Sequence, residues 1–230
     1  MSTKVKGVID LRAYAAAALP SGDWLGGRLA PAHSDPLATV TAFAPTGAGR
    51  IASMPHDEFV LALAGAVSFH ARNGETRLAA GQGAVLPAGA QFDWRAANGT
   101  TVVVMACPTA ASAGVDVVAI DLQAPLAPSN PPLAQLLVGP TPACRNHSDF
   151  RSASGEFVCG TWDSTPYHRR PMPYRHIELM HLLEGAVTFE DAGGAVSFSR
   201  GDTLLCARGA ECAWISTVHV KKIYATQRPA

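Results

Sequence analysis

The sequence predicts an all-β protein that consists of two similar β-barrels in tandem. Three observations predict this: the chain resembles itself at an offset of 120 residues, its apolar residues fall in short runs between glycine-bearing turns, and long amphipathic helices are absent. Short strands separated by turn signals at intervals of about 8–12 residues are typical of β-sandwiches and β-barrels.

Composition limits the class of partner. The 230 residues could form one large or two small domains, and 18 Lys and Arg balance 18 Asp and Glu. A net charge of zero gives no broad basic field, so we expect a small-molecule ligand and neither nucleic acid nor a membrane as the main partner. Five cysteines without a C-x-x-C pair favour the reducing cytoplasm. A homodimer is compatible with the sequence but is not required.

The repeat is the most informative feature of the chain. His56 and Glu58 fall on His176 and Glu178, Trp94 falls on Trp214, and residues 41–94 contain 14 identities to residues 161–214 without a gap. Such self-similarity indicates a duplicated domain. We therefore predict an N-terminal domain with its lead-in segment at 1–120, a proline-rich linker at 121–142 and a C-terminal domain at 143–230.

The linker is predicted to lie as a strap against a domain surface. Its six prolines are incompatible with a helix interior or a central strand, and residues 133–138 are apolar. A free spacer is the alternative. The best candidate helix in the chain is residues 13–19.

Corresponding short apolar runs occur in both copies and predict their strands. They are 59–63, 66–69, 84–87 and 101–106 in the first copy, and 179–183, 186–189, 203–207 and 218–225 in the second. The runs 59–63 and 179–183 are apolar on both faces, which a barrel surrounded by water would not need. We therefore expect the barrels to pack against each other through their outer faces.

The strand residues resemble the cupin signature. In the second copy the segment Glu178-Leu-Met-His-Leu-Leu-Glu-Gly185 is followed by a Gly201-Asp202 turn and Gly209, and the first copy has a similar pattern from Glu58. Gly160-Thr-Trp162, Trp214 and the ending His219-Val-Lys-Lys-Ile-Tyr224 resemble the ethanolamine-utilisation and ureidoglycine-aminohydrolase type of cupin. The resemblance covers residues 37–107 and 157–226, and it implies a bicupin with two jelly-roll-like barrels.

The resemblance also directs attention to a metal site. Metal-binding cupins use a His-x-His before the glutamate and a histidine in the second motif. Here residues 171–174 are Pro-Met-Pro-Tyr, and the second-motif positions are Phe92 and Cys212. Because phenylalanine cannot coordinate a metal, the first barrel is expected to lack the standard site.

In the second copy an alternative metal site is conceivable. His176 and Glu178 are two residues apart on one strand and therefore share a face. If Glu178 points inward, both could join Cys212 in binding one divalent zinc, manganese or iron ion, with His168 as a fourth ligand. The other interpretation is that His176 and Glu178 hydrogen-bond each other and Cys212 is a buried apolar residue.

Three residues of the second copy are predicted to contact a ligand. Arg170 could bind a carboxylate through two parallel hydrogen bonds from its guanidinium, and it has a counterpart in Arg50. Trp214 and Tyr174 could line the pocket. A solvated loop and ordinary core aromatics are the competing interpretations. His181, on the opposite face of its strand, is expected to pack against a second sheet or subunit.

Two functions follow from these features. The first is a metal-dependent, hydrolase-like enzyme acting on a ureido or amide group of a small, carboxylate-bearing metabolite, as the resemblance implies. The second is a metal-free binding or structural protein without catalysis. The chain has no Ser-His-Asp order, phosphate loop or dinucleotide fingerprint, which disfavours those enzyme classes.

Overall fold

The computed structural model describes residues 5–108 and 114–229 and confirms the all-β class. The chain enters through strand β1 (Val8–Asp10) and helix α1 (Leu11–Ala15). The helix starts two residues before the predicted segment because the Asp10 carboxylate caps it, accepting the backbone N–H of Ala13 at 2.9 Å. It ends well before residue 19, and the chain is extended at Pro20.

Two sheets form the N-terminal barrel. Their strands are β2 (Pro20–Ser21), β3 (His33–Ser34), β4 (Thr39–Pro45), β5 (Gly47–Ile51), β6 (Asp57–Ala64), β7 (Ala66–Ala71), β8 (Gly74–Ala79), β9 (Gly83–Leu86), β10 (Phe92–Ala96), β11 (Thr101–Cys107) and β12 (Val118–Ala119). One sheet has the order β12-β9-β6-β11-β4-β2, with β3 also on β4, and the other has the order β5-β10-β7-β8.

The C-terminal barrel is built in the same way. Its strands are β13 (Ala127–Ser129), β14 (Leu137–Val138), β15 (Cys144–Arg151), β16 (Phe157–Ser164), β17 (Tyr167–Pro173), β18 (Ile177–Glu184), β19 (Ala186–Asp191), β20 (Gly194–Ser199), β21 (Thr203–Cys206), β22 (Glu211–Ser216) and β23 (Val220–Gln227). A seven-stranded sheet, β1-β21-β18-β23-β16-β15-β13, faces a five-stranded sheet, β14-β17-β22-β19-β20.

The duplication is visible in the strand positions. Strands β6, β7, β8 and β9 recur as β18, β19, β20 and β21 with both ends displaced by 120 residues. The hairpin turns between them keep their glycines, and Gly65 and Gly185 have φ angles of 67° and 77°. The offset found in the sequence is therefore an offset between equivalent strands.

The two barrels pack through their apolar outer faces, as expected from the sequence. Phe59 and Leu61 of β6 share one buried cluster with Leu179 of β18 and Ile223 of β23. His181 is buried on this side, where its Nδ1 lies 2.9 Å from Thr203 Oγ1. Burial, together with the nearby Arg12 cation, lowers the pKa of His181 to about 4. This histidine is therefore neutral, and it packs on the outer face of its strand, as predicted.

Segments outside the repeat attach to the C-terminal barrel. Strand β1 pairs antiparallel with β21, so residues 8–10, which fall within the predicted range 1–120, extend the sheet of the second barrel. Residues 127–138 of the proline-rich segment form β13 on β15, a 3-10 turn at Ala134–Leu136, and β14 on β17. This strap joins the edges of both sheets of one barrel.

The interior of the N-terminal barrel is filled by aromatic side chains. Trp24, from the lead-in segment, is 1% exposed and makes edge-on contacts with Phe43 and Phe69, each at 5.1 Å between ring centroids. Trp94 also packs there, and a Cβ on Gly49 would lie 2.8 Å from its indole nitrogen. The interior of this barrel is therefore filled by the protein's own side chains.

The glutamate of the first repeat is neutralised inside this barrel. Glu58 is fully buried, and its two carboxylate oxygens accept hydrogen bonds from Arg28 at 2.7 Å and 3.1 Å. The Arg28 guanidinium also donates to the carbonyl oxygen of Trp24. Residues 24–28 therefore supply both Trp24, at the centre of the aromatic cluster, and Arg28, the counter-charge of Glu58.

The aromatic cluster around Trp24 predicts a large effect of one substitution. Trp24→Ala removes the central ring of the cluster and should lower the free energy of unfolding by about 3–5 kcal/mol, because the rigid barrel cannot collapse into the cavity. Urea denaturation followed by circular dichroism measures this. Leu25→Ala is the matched control, since Leu25 is 43% exposed and should change stability little. Equal losses of stability for both variants would contradict the central role of Trp24 in this packing.

Candidate functional site

The C-terminal barrel encloses a cavity of about 380 Å³ between its two sheets. Strands β15, β16, β18 and β23 form one wall, β17 and β22 form the other, and Ser129 and Asn130 of the strap lie on its border. Unlike the filled N-terminal barrel, this cavity is lined by charged, hydroxyl and aromatic side chains. It is the candidate functional site.

Glu178 points into the cavity, where its carboxylate contacts two basic side chains. Its Oε1 accepts a hydrogen bond from Lys222 Nζ at 2.8 Å, and its Oε2 lies 3.3 Å from His176 Nε2. The side chains of Glu178 and Lys222 are 13% and 7% exposed. Burial alone would raise the pKa of Glu178, but the Lys222 ammonium and the hydrogen bond from His176 outweigh it and hold that pKa well below its usual range.

Lys222 is held by aromatic rings as well as by its counter-ion. Its Nζ lies 4.8 Å from the ring centroid of Trp162 and 5.1 Å from that of Trp214, and 3.1 Å from the sulfur of Met180. Cation–π contacts of this kind stabilise a desolvated ammonium. Lys222 therefore forms a fixed internal cation of the second barrel.

Arg169 is the second cation on the cavity wall. It is 6% exposed and lies over the Tyr174 ring at 5.5 Å. Its guanidinium donates to the Arg170 carbonyl oxygen at 3.4 Å and contacts the Cys212 thiol. Among the described residues no carboxylate pairs with it. A guanidinium has five N–H donors, so Arg169 retains donors for a ligand.

Arg170, the arginine predicted to contact a ligand, lies outside the cavity. It is exposed and does not line the wall. The reason is a β-bulge: Arg169 is opposite Trp214 but Met172 is opposite Cys212, so β17 contains one extra residue. Arg50, its counterpart in the first copy, is also exposed. The sequence signal for the bulge is Pro171 within the strand.

Trp214 and Tyr174 both line the cavity, where the sequence analysis placed them. Tyr167 stacks on Trp214 with a centroid distance of 5.7 Å and an interplanar angle of 10°. Burial raises the pKa of the Tyr167 and Tyr174 hydroxyls, so both remain protonated hydrogen-bond donors. The wall thus combines flat apolar surfaces with neutral donors.

Several residues of the site were missed by sequence reasoning. Lys222, Tyr224, Thr226 and Arg228 all line the cavity, while Ile223 and Ala225 between them are buried in the interface between the barrels. This alternation is the signal that could have found them, because side chains two apart on a strand share a face. The list of missed residues also includes Arg151, Ser148, Trp162, Tyr167 and Arg169.

The residues present do not fit the expected metal ion. The structure brings His176 and Glu178 together, but Cys212 is fully buried in the apolar cluster behind Arg169 and His168 lies outside the cavity lining. Burial raises the pKa of the Cys212 thiol and disfavours the thiolate that a metal needs. Within the described ranges, no group of at least three His, Cys, Asp or Glu side chains could hold a metal.

All five cysteines are buried and free, without a disulfide. In the part of the chain that the structure describes, no helix is both long enough and apolar enough to cross a membrane.

Comparisons with known proteins agree with this architecture. The EutQ-like cupin domain matches residues 151–224. A protein of unknown function from Pseudomonas syringae pv. tomato str. DC3000, assigned to the DUF861 family, is 30% identical with a TM-score of 0.80, over 84% of this chain and 83% of that one. No curated protein matches the chain.

More distant structures share the fold. A cupin 2 conserved barrel domain protein from Leptotrichia buccalis is 10% identical with a TM-score of 0.62 over 99% of each chain. The DUF861 protein Ylba from E. coli is also 10% identical, with a TM-score of 0.51 over 84% of this chain and 78% of that one. The matched domain and the shared β-barrel fold identify the chain as a cupin. More specifically, the chain belongs to the DUF861 family of cupins.

The internal ion pair predicts a pH-dependent effect of Lys222→Met. In the native protein the pKa of Glu178 lies below its ordinary value of 4.5, so the ion pair stabilises the fold above that value and is lost only in strong acid. Without the ammonium, burial raises this pKa, and the charged form is penalised as the pH rises. We expect a loss of about 3–5 kcal/mol at neutral pH and a smaller loss at mildly acid pH.

Urea denaturation of both proteins at the two pH values measures the difference. The double variant Lys222→Met with Glu178→Gln is the control, since it removes the uncompensated charge and should recover most of the stability. A loss that does not change with pH would show that Lys222 acts only through packing.

Proposed function

We propose that the C-terminal barrel binds a small, carboxylate-bearing metabolite without the help of a metal ion. The observation that carries this proposal is Arg169, a buried guanidinium on a cavity wall whose donors have no carboxylate partner among the described residues. A carboxylate accepts two parallel hydrogen bonds from such a group, which gives both affinity and a fixed orientation.

The rest of the cavity suits a small organic acid. Trp214, Trp162 and Tyr167 offer flat surfaces for the carbon skeleton, and about 380 Å³ accommodates a small metabolite. The hydroxyl of Ser129, which borders the cavity, is buried without a hydrogen-bond partner among the described residues. A bound polar group is one way to satisfy such a hydroxyl.

The His176, Glu178 and Lys222 cluster provides polar chemistry beside the ligand. Glu178 is held in its charged form by Lys222 and orients the imidazole through Nε2, which leaves Nδ1 of His176 for the cavity side. A carboxylate that orients a histidine is an arrangement that general acid–base catalysis can use. Any catalysis in this proposal therefore depends on proton transfer by the protein's own side chains.

Arg169→Gln should weaken carboxylate binding strongly, and Arg170→Gln should not. We expect pyruvate, benzoate or succinate, tested by isothermal titration calorimetry, to bind the native protein. Loss of a charge-assisted pair in a desolvated site should weaken binding by about 10–100-fold. Arg170→Gln removes the same charge one residue away on the solvent side. Similar affinities for the native protein and Arg169→Gln would refute the proposal.

The metal-dependent alternative is tested by elemental analysis. Freshly purified protein should contain no stoichiometric zinc, manganese or iron, because Lys222 already neutralises Glu178 and Cys212 is withdrawn into the core. A stoichiometric metal that is lost in the His176→Ala variant would establish the metal-dependent function instead.

A further inference from the structure

Three guanidinium groups face the same cavity without a carboxylate partner. Besides Arg169, the cavity is lined by Arg151, the last residue of β15, and by Arg228, which follows β23. No ion pair joins any of the three to an acidic side chain among the described residues. The cavity therefore contains more cationic groups than a single carboxylate can neutralise.

Arg169 and the other two arginines lie on opposite walls. Arg169 belongs to the five-stranded sheet, whereas Arg151 and Arg228 lie at one end of the seven-stranded sheet. Arg151 is opposite Val158, and the Arg228 backbone N–H donates to the Glu156 carbonyl oxygen at 3.1 Å, so both arginines flank the start of β16. The cationic groups are thus distributed in two places with the cavity between them.

Glu178 forms no ion pair with either arginine of the seven-stranded sheet. Arg151, Val158, Thr226 and Glu178 form one row across four neighbouring strands. The backbones of Arg151 and Glu178 are three strand spacings apart, about 14 Å. Arg228 is closer, because it follows Gln227, which is opposite Ile177 of β18. Glu178 is also already engaged by Lys222 and His176. The guanidinium donors of Arg151 and Arg228 are therefore available to an anion from outside the chain.

We infer that the ligand of the C-terminal barrel is a dicarboxylate, with one carboxylate on Arg169 and the other on Arg151 and Arg228. This inference rests on the proposed function and narrows its substrate class. The two carboxylates have unequal surroundings: Arg169 is buried, while Arg151 and Arg228 are exposed. The outer carboxylate should consequently contribute less affinity and be more sensitive to salt.

The test compares each dicarboxylate with its own half-amide. Succinate, glutarate and adipate differ from succinamate, glutaramate and adipamate by one charge at nearly constant shape. Isothermal titration calorimetry on the full chain should show, for at least one length, a diacid that binds about tenfold more tightly than its half-amide, with a difference that shrinks at high salt.

A pair of double variants shows where the second carboxylate binds. Arg151→Gln with Arg228→Gln should reduce the diacid to the affinity of the half-amide and leave the half-amide unchanged. Arg170→Gln with Arg175→Gln is the matched control, because it removes the same charge from exposed residues of the same barrel outside the cavity lining. A control pair that weakens the diacid equally would overturn the inference.

The other outcomes separate the inference from the proposed function. Diacids and half-amides that bind equally at every length, but lose binding in Arg169→Gln, would overturn the inference and leave the proposed function intact. If neither kind of acid binds in a manner that depends on Arg169, both are overturned.

Discussion

A buried glutamate with an internal cation is the constraint on which both barrels depend. A carboxylate removed from water is costly unless it is paired and hydrogen-bonded. The first barrel meets this cost with Arg28 from the lead-in segment, and the second meets it with Lys222 from its last strand. The equivalent glutamates, Glu58 and Glu178, are thus paired with different cations. Because each cation is a side chain of the protein, neither barrel needs an added ion to neutralise its glutamate.

The source of the cation decides which barrel can hold a ligand. Arg28 enters the first barrel together with Trp24, and this segment fills the interior with the aromatic cluster. Lys222 instead reaches Glu178 along the wall, which leaves the centre of the second barrel open. Equivalent positions differ accordingly, since Gly49, Val102 and Val104 in the first copy correspond to Arg169, Lys222 and Tyr224 in the second. One scaffold therefore carries a packed support and a polar cavity.

The sequence predicted the fold better than the site, for physical reasons. The offset of 120 residues, the packing of the outer faces and the packing of His181 follow from periodicity, which strands preserve. Arg169 was missed because Arg170 was chosen for its counterpart in the repeat, Arg50, and both of these arginines are exposed. The pairing of Lys222 with Glu178 was missed because Glu178 lies four residues from Leu182, the residue directly opposite Lys222, and only side-chain reach connects the two charges. Patterns of spacing do not encode such reach.

The lead-in segment and the first repeat support the second barrel, although they precede it in the chain. Strand β1, at the start of the chain, pairs with β21, and β21 in turn pairs with β18, where Cys206 is opposite Glu178. The strap supplies β13 and β14 to the edges of the same barrel. A segment comprising only the second repeat would expose β21 as an unpaired edge and uncover the apolar face that now meets the first barrel. The filled barrel and the lead-in segment therefore act on the ligand site by holding the strand that positions its carboxylate.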